Sequence, residues 1–457
     1  MAAGQDFTPP PSLSAKFEGS FAYLTVRDRL PTILTKVIDT IHRNKNNFFE
    51  KHGEVGVDAE KRAISFLSKL RNELQTDKPA LLLTDDADDT EAWNRYMQTQ
   101  QDLMEDGQPV SWFKSPWLYV ECYMYRRIQE ALWLSPPIGD FDAFKEGKTN
   151  SFFESQQAII SLCTYLREIL ATAENANEKW LFEHFLRFLQ VSLWGNRCDL
   201  SISAGVENSQ KTSPMDSLSD LQHFILVDDS EKVWSLLTSS VQGSGGTKKP
   251  GVRLDVILDN AGFELVTDLV LADFMVSVGL AKEVRFHGKS IPWFVSDVNQ
   301  RDFDWTISQT AASNHKHMSS CGVQWKRYVK DGVWSYHDHR FWTLPHEFCD
   351  MPADAADLYA TLQGSDLILF KGDLNYRRLT GDRMWEHTVP FVRALRGFLP
   401  APLCSLRTLK ANVQVGLKPG QAEKLSCQDA EWMTSGKYAV IQFCSPLEEQ
   451  QQQQPSA

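Results

Sequence analysis

Leu254–Asp302 reads LDVILDNAGFELVTDLVLADFMVSVGLAKEVRFHGKSIPWFVSDVNQRD, and the order of patterns in it decides the fold. It opens on a strand-like apolar run, Leu254–Leu258, with an acid and an amide, Asp259 and Asn260, at its carboxyl end. Leu265, Leu269, Ala272 and Val276 then recur at spacings of four, three and four, one face of an amphipathic helix running to Gly279. A second extended run follows over Glu283–His287. After a turn at Pro292 the pattern predicts a third, Phe294–Ser296, closed by Asp297. Strand, helix, strand with carboxylates at the strand ends is the doubly wound α/β pattern, in which ligands sit beyond the carboxyl edge of the sheet. Asp259, Asn260 and Asp297 would offer three hard oxygens to a small divalent cation such as Mg²⁺ or Mn²⁺. The competing reading is structural: Asn260 caps the helix and the aspartates merely end strands.

Outside this stretch, composition sets the bounds. A chain of 457 residues exceeds one ordinary core, so two domains are expected. A formal charge of −12 argues against nucleic acid or an anionic membrane surface as main partner, while leaving room for a basic pocket that binds a small phosphate. The eight cysteines form no CxxC pair, which predicts reduced thiols rather than a zinc knuckle or a disulfide framework. No basic and apolar leader opens MAAGQDFTPPPS, and no apolar run reaches membrane-spanning length; the expectation is a soluble cytoplasmic protein, the nucleus remaining open.

Apolar residues three and four apart predict helices from Pro31 through Ile38 and over Ala63–Leu74, Trp117–Leu132, Ser155–Ala173 and Trp180–Leu193. A mainly helical N-terminal domain, residues 1–210, is therefore expected before an α/β domain over 211–447 and a disordered glutamine-rich tail, 448–457. The polar breaks Ser201–Asp216 and Val241–Pro250 flank Leu221–Val227, which reads as strand or helix. Glu121 stands alone in an aromatic helix and is read as paired with an arginine. Four histidines, His315, His317, His337 and His339, lack the companions a zinc site needs and are given solvated or hydrogen-bonding roles.

Further on, Ala355–Gln363 reads as a helix ended by Gly364, and Leu367–Phe370 as a buried strand. The strand runs into Lys371-Gly372-Asp373-Leu374-Asn375-Tyr376-Arg377, where Gly372 permits a tight turn or close backbone approach and the charged residues stand at a strand's carboxyl end. Thr408 and Lys410 share a face of an extended Arg407-Thr408-Leu409-Lys410, so a hydroxyl and an ammonium could meet one phosphate, the competing reading being an ordinary basic strand edge; an alternating run, Val413–Leu417, follows, and Lys437–Phe443 reads as the last strand.

Leu258–Glu264 (LDNAGFE), Arg285–Lys289 (RFHGK), Pro292–Val298 (PWFVSDV), Phe370–Arg377 (FKGDLNYR) and Arg407–Lys410 (RTLK), in that order, resemble the damage-control phosphatase family, in the branch that carries an RTxK signature. The TVRDRLP, ECYMYRR and LWGNRCDLS segments are similar to the same branch. The resemblance implies a Rossmann-like α/β/α sandwich and a metal-dependent phosphatase of small sugar phosphates, fructose 1-phosphate and fructose 6-phosphate among them. It implies Asp259, Asn260 and Asp297 as catalytic ligands of Mn²⁺ or Mg²⁺. Asp259, Asn260, Asp373, Leu374, Asn375, Tyr376, Arg377 and Lys410 would bind substrate, with Glu121 as a further member of the pocket, and Lys371 or Arg377 would assist Lys410 on the phosphate. Relatives described as S-adenosylmethionine-dependent carboxyl methyltransferases make that the alternative activity, with Glu264 and Asp297 as cofactor contacts.

Rival classes fail on particular residues. A haloacid-dehalogenase-type phosphatase needs an aspartate where Ala261 stands, and a P-loop needs a glycine at Glu283. A methyltransferase should carry a glycine-rich turn after its first strand, whereas Gly243–Gly246 precedes the Leu254 strand. A metal-free binding protein is the remaining non-enzyme reading.

Overall fold

The computed structural model describes residues 8–104, 107–195, 218–241 and 251–446. Among the described residues seven strands form one sheet: β1 Ile225–Asp228, β2 Val252–Ile257, β3 Ala281–Gly288, β4 Trp334–Asp338, β5 Leu367–Lys371, β6 Leu403–Thr408 and β7 Ala439–Cys444. Their spatial order is β1-β7-β6-β5-β2-β3-β4, and every neighbouring pair is parallel except β6 with β7. The chain thus winds outward from β2 through β3 to β4, then returns to β2's other side as β5. Strand order reverses between β2 and β5, and at such a switch point the connections leave to opposite faces and open a crevice at the carboxyl ends.

Period-two alternation sends neighbouring strand residues to opposite faces. Ile257, Ile368 and Phe370 join one apolar core with Val26, Leu34, Leu67 and Trp117. Leu254, Val256, Leu367 and Leu369 join the other, with Leu162, Phe188, Leu269 and Trp325. The predicted N-terminal helices are present as Leu30–Arg43, Glu54–Gln75, Trp117–Trp133, Gln156–Ala171 and Glu178–Gly195, and they cover both faces of the sheet. Trp117–Trp133 is buried almost all round, so its charged side chains are paired: Arg126 with Asp85 and Asp89, and Arg127 with Glu130 at 2.6 Å. An arm over residues 10–14 straps the surface, with Leu13 N–H donating to Asp382 O (2.8 Å) and Trp117 N–H to Leu13 O (2.8 Å).

Three local expectations change. Phe294–Ser296 is no strand: Phe294 and Val295 have φ of 44° and 71°, a turn that side chains rarely adopt, held by Phe294 stacking on Tyr125 at 4.6 Å. The segment after β5 is a helix, Gly372–Thr380, rather than a turn. Val413–Leu417 belongs to no strand. Leu221–Val227 resolves into helical turns followed by β1, and Gly364 ends its helix in a right-handed conformation. His337 bonds Ser335 at 2.8 Å and His339 accepts from the Phe341 N–H, the hydrogen-bonding roles expected of them. Ser201–Asp216, most of Val241–Pro250, the end of LWGNRCDLS and the 448–457 tail lie outside the described residues, as does the boundary near 210. Among the described residues no helix is long and apolar enough to cross a membrane.

Candidate active site

β2 delivers Asp259 and Asn260 to the switch point, and β5 delivers Gly372 and Asp373 beside them. Gly372 (φ +84°) lies so close that a Cβ placed on it would come 1.8 Å from Asp259 Oδ2. Only glycine lets the two loops meet. The third piece is the Phe294-Val295 turn, which reverses the chain after Trp293 so that residues 296–298 run back along 259–261. Val298 N–H donates to Asp259 O (2.9 Å) and Ala261 N–H to Ser296 O (2.7 Å), with a bridge between Asn260 and Asp297.

Side chains continue this convergence. Asn260 Nδ2 donates to Asp259 Oδ2 (2.9 Å) and to Glu264 Oε2 (2.8 Å), while its Oδ1 accepts from the Ser296 hydroxyl. Asp259, Asn260 and Asp297 are all buried, and the Lys289 ammonium sits 3.1 Å from Asp297 Oδ2. Lys289 was not singled out by sequence as a site residue; its place directly after β3, at the same sheet edge, is the signal that could have found it.

Asp373 Oδ1 accepts from Arg407 Nε (2.7 Å) and from the Lys410 backbone N–H (3.0 Å), which ties the RTLK segment to the β5 loop and buries the Lys410 side chain there. The rest of the FKGDLNYR segment forms the floor and brace of this edge. Asn375 Nδ2 donates to Lys371 O (2.8 Å) and Leu258 O (3.3 Å), Tyr376 OH donates to Gln442 Oε1 (2.8 Å), and Leu374 is buried. Arg377 lies 3.6 Å over the Trp117 ring, bonds Asp382 through two nitrogens and reaches Glu121 Oε2 at 2.6 Å. Glu121 is therefore arginine-paired, with Arg29 also 4.0 Å away, and Arg377 is committed to carboxylates.

Lys371 is likewise committed: its buried ammonium donates to Ser192 O (2.7 Å), Asp268 Oδ1 (2.7 Å) and Glu264 Oε1 (3.1 Å). Burial pulls that ammonium's pKa down, but Asp268 and Glu264 more than offset this and hold it above its usual value. Burial pushes the Asp268 carboxyl up to about 6, against the pull of Lys371. Of the expected phosphate-holding cations, Lys410 remains at the edge, joined by Lys289.

Two carboxylates and a carboxamide are the donor chemistry of a hard divalent cation. A cluster of three His, Cys, Asp or Glu side chains able to hold a metal is absent among the described residues, and this set does not require one, since Asn260 supplies the third oxygen. A cleft of about 920 Å³ lies behind the loops, lined by Lys148, Ala261, Gly262 and Trp305, and reaches none of Asp259, Asn260, Asp297 or Asp373.

A mostly parallel, doubly wound sheet with oxygen-bearing side chains gathered at its switch point defines a Rossmann-like α/β protein, a class whose ligands sit beyond the carboxyl edge of the sheet. The chain belongs to the damage-control phosphatase ARMT1-like domain family, whose model matches residues 25–425. It is 74% identical over 442 residues to "Damage-control phosphatase ARMT1" of Danio rerio, covering 97% of this chain and 98% of that one. Identity to the proteins of the same name is 63% in Xenopus tropicalis (96% of this chain, 100% of that one) and 58% in Homo sapiens (96% and 99%), each over 439 residues.

Proposed function

We propose that the protein is a divalent-metal-dependent phosphatase of small sugar phosphates, fructose 1-phosphate and fructose 6-phosphate being the first candidates. The observation that carries this reading is the meeting of three loops at the β2/β5 switch point, Asp259-Asn260, Ser296-Asp297 and Gly372-Asp373, with Lys289 and Lys410 at the same edge. Membership of a damage-control phosphatase family and relatives named as such support the reaction class.

Asp259, Asn260 and Asp297 would hold Mn²⁺ or Mg²⁺, which when bound supplies Lewis-acid neutralisation of phosphoryl charge. Lys410 binds the phosphate as a point charge, and Lys289 balances Asp297 and adds positive potential at the same edge. Asp373, oriented by Arg407 and the Lys410 backbone, accepts from sugar hydroxyls and keeps the Lys410 loop against β5. Asn375 fixes the carbonyls of Leu258 and Lys371, so it sets the spacing of the two loops. Arg377, with Glu121 and Asp382, braces the wall on which Asp373 sits. The methyltransferase alternative is not favoured: Glu264, its expected cofactor contact, is wholly buried against Lys371 and Asn260.

Free thiols at Cys122, Cys163, Cys321, Cys349, Cys404, Cys427 and Cys444 support a cytoplasmic or nuclear site of action. The test is release of inorganic phosphate from p-nitrophenyl phosphate and a sugar phosphate panel, with and without Mn²⁺, for the wild type and Asp259→Ala. Metal-dependent turnover that the variant abolishes is expected; full activity in Asp259→Ala removes the assignment.

A further inference from the structure

A carboxamide has two chemically different ends, and only its oxygen can ligate a cation. Nothing intrinsic to Asn260 decides which way its two ends point. The surroundings do. Glu264 Oε2 lies 2.8 Å from Asn260 Nδ2, and a carboxylate only accepts, so this contact demands the NH₂ end, in agreement with Asp259 Oδ2, which accepts from the same nitrogen at 2.9 Å. Ser296, donating to Oδ1, reads the other end consistently. Glu264 is in turn held: its second oxygen is 3.1 Å from Lys371 Nζ, and both side chains are wholly buried. Lys371 is fixed by Ser192 O on the Glu178–Gly195 helix and by Asp268, whose Oδ1 also accepts from Ser192 Oγ at 2.6 Å. Lys371 stands at the end of β5, directly before Gly372, so one ammonium ties the loop that abuts Asp259 to the group that orients Asn260.

We propose that Glu264, pinned by Lys371, is a positioning residue that fixes the orientation of the Asn260 carboxamide and thereby sets the affinity of Asp259, Asn260 and Asp297 for their divalent cation. This rests on the reading of those three residues as the metal-holding set. Outer-shell partners of this kind typically govern metal affinity by about 10–100-fold.

The ion cluster allows a matched pair of variants. Lys371 faces two acids, so Glu264→Gln leaves it paired with Asp268, and Asp268→Asn leaves it paired with Glu264. Each removes one buried acid and keeps a one-to-one pair, but only Glu264→Gln replaces the acceptor-only group on Asn260 Nδ2 with a carboxamide that can turn either end toward it. Mn²⁺ binding to the full-length protein is followed by loss of the free-ion electron paramagnetic resonance signal, alongside Tm. Glu264→Gln is expected to weaken Mn²⁺ binding at least about tenfold with a wild-type-like Tm, and Asp268→Asn to change it less than about threefold. Mn²⁺ affinity unchanged in Glu264→Gln, or lowered equally by both variants, overturns the proposal. So does loss of S-adenosylmethionine binding in Glu264→Gln with Mn²⁺ affinity intact, which would return Glu264 to a cofactor-contacting role. Failure of the wild type itself to bind Mn²⁺ overturns the metal reading on which the proposal stands, and so is told apart from failure of Glu264 alone.

Discussion

Gly372 carries a constraint that no other residue type satisfies. Its left-handed backbone costs an L-residue about 1–2 kcal/mol, and a methyl group there would also collide with the Asp259 carboxylate. Gly372→Ala is expected to displace Asp259 and lower kcat/KM by more than tenfold, with a Tm drop of several degrees; steady-state kinetics and a thermal melt check both. Lys410→Ala should cost about 1–3 kcal/mol of transition-state binding, as for a charged hydrogen bond, read as a fall in kcat/KM for a sugar phosphate. Asp268 gives a pH signature. Its folded-state pKa, about 6, lies above the ordinary carboxylate value, so between about pH 4 and 6 the folded chain binds more protons than the unfolded one. That contribution to stability is lost as pH rises through this window. The Tm of Asp268→Asn minus that of wild type should therefore become more positive from pH 4 to 6, a comparison that cancels the other carboxylates.

Elements were legible in proportion to their periodicity. The β2–helix–β3 unit follows directly from its pattern, and the helix Trp117–Trp133 from its apolar spacing. Phe294–Ser296 was misread because aromatic and β-branched residues favour strands, whereas here packing on Tyr125 outweighs that preference and holds two positive φ angles in succession. The helix Gly372–Thr380 was not legible because its polar residues resemble those of a turn at a strand end; they are buried by pairing, Arg377 with Glu121 and Asp382, and Lys371 with Glu264 and Asp268. Such partners lie up to 256 positions apart in the chain, beyond what local spacing can show. The same pairing changes what Arg377 is expected to do. Arg377→Met would strip the buried Asp382 of its arginine and leave Glu121 only Arg29 at 4.0 Å, and so destabilise the protein by about 3–5 kcal/mol, measured by urea unfolding. A phosphate-binding role would instead raise KM with stability intact.

At the scale of the molecule, the helices before residue 195 and the sheet share two apolar cores rather than owning one each. A single cooperative transition is therefore expected, with far-ultraviolet circular dichroism and tryptophan fluorescence melting together; two separated transitions would show an independent helical domain. The switch point was foreseeable as a strand end near Asp259, but not which strand would lie beside β2, because strand order is a long-range property that β5 reveals only in three dimensions.

Strand order also governs synthesis. β1 has β7 as its neighbour in the sheet, and β7 separates it from β6, with the two running against the other five strands. A nascent chain leaving the ribosome can assemble β2, β3, β4, β5 and β6 in turn, yet β1 must wait with its ladder unmade until residue 444 has emerged. Completion of this sheet waits on its last strand, and the interval before it is when a chaperone has an open strand edge to guard.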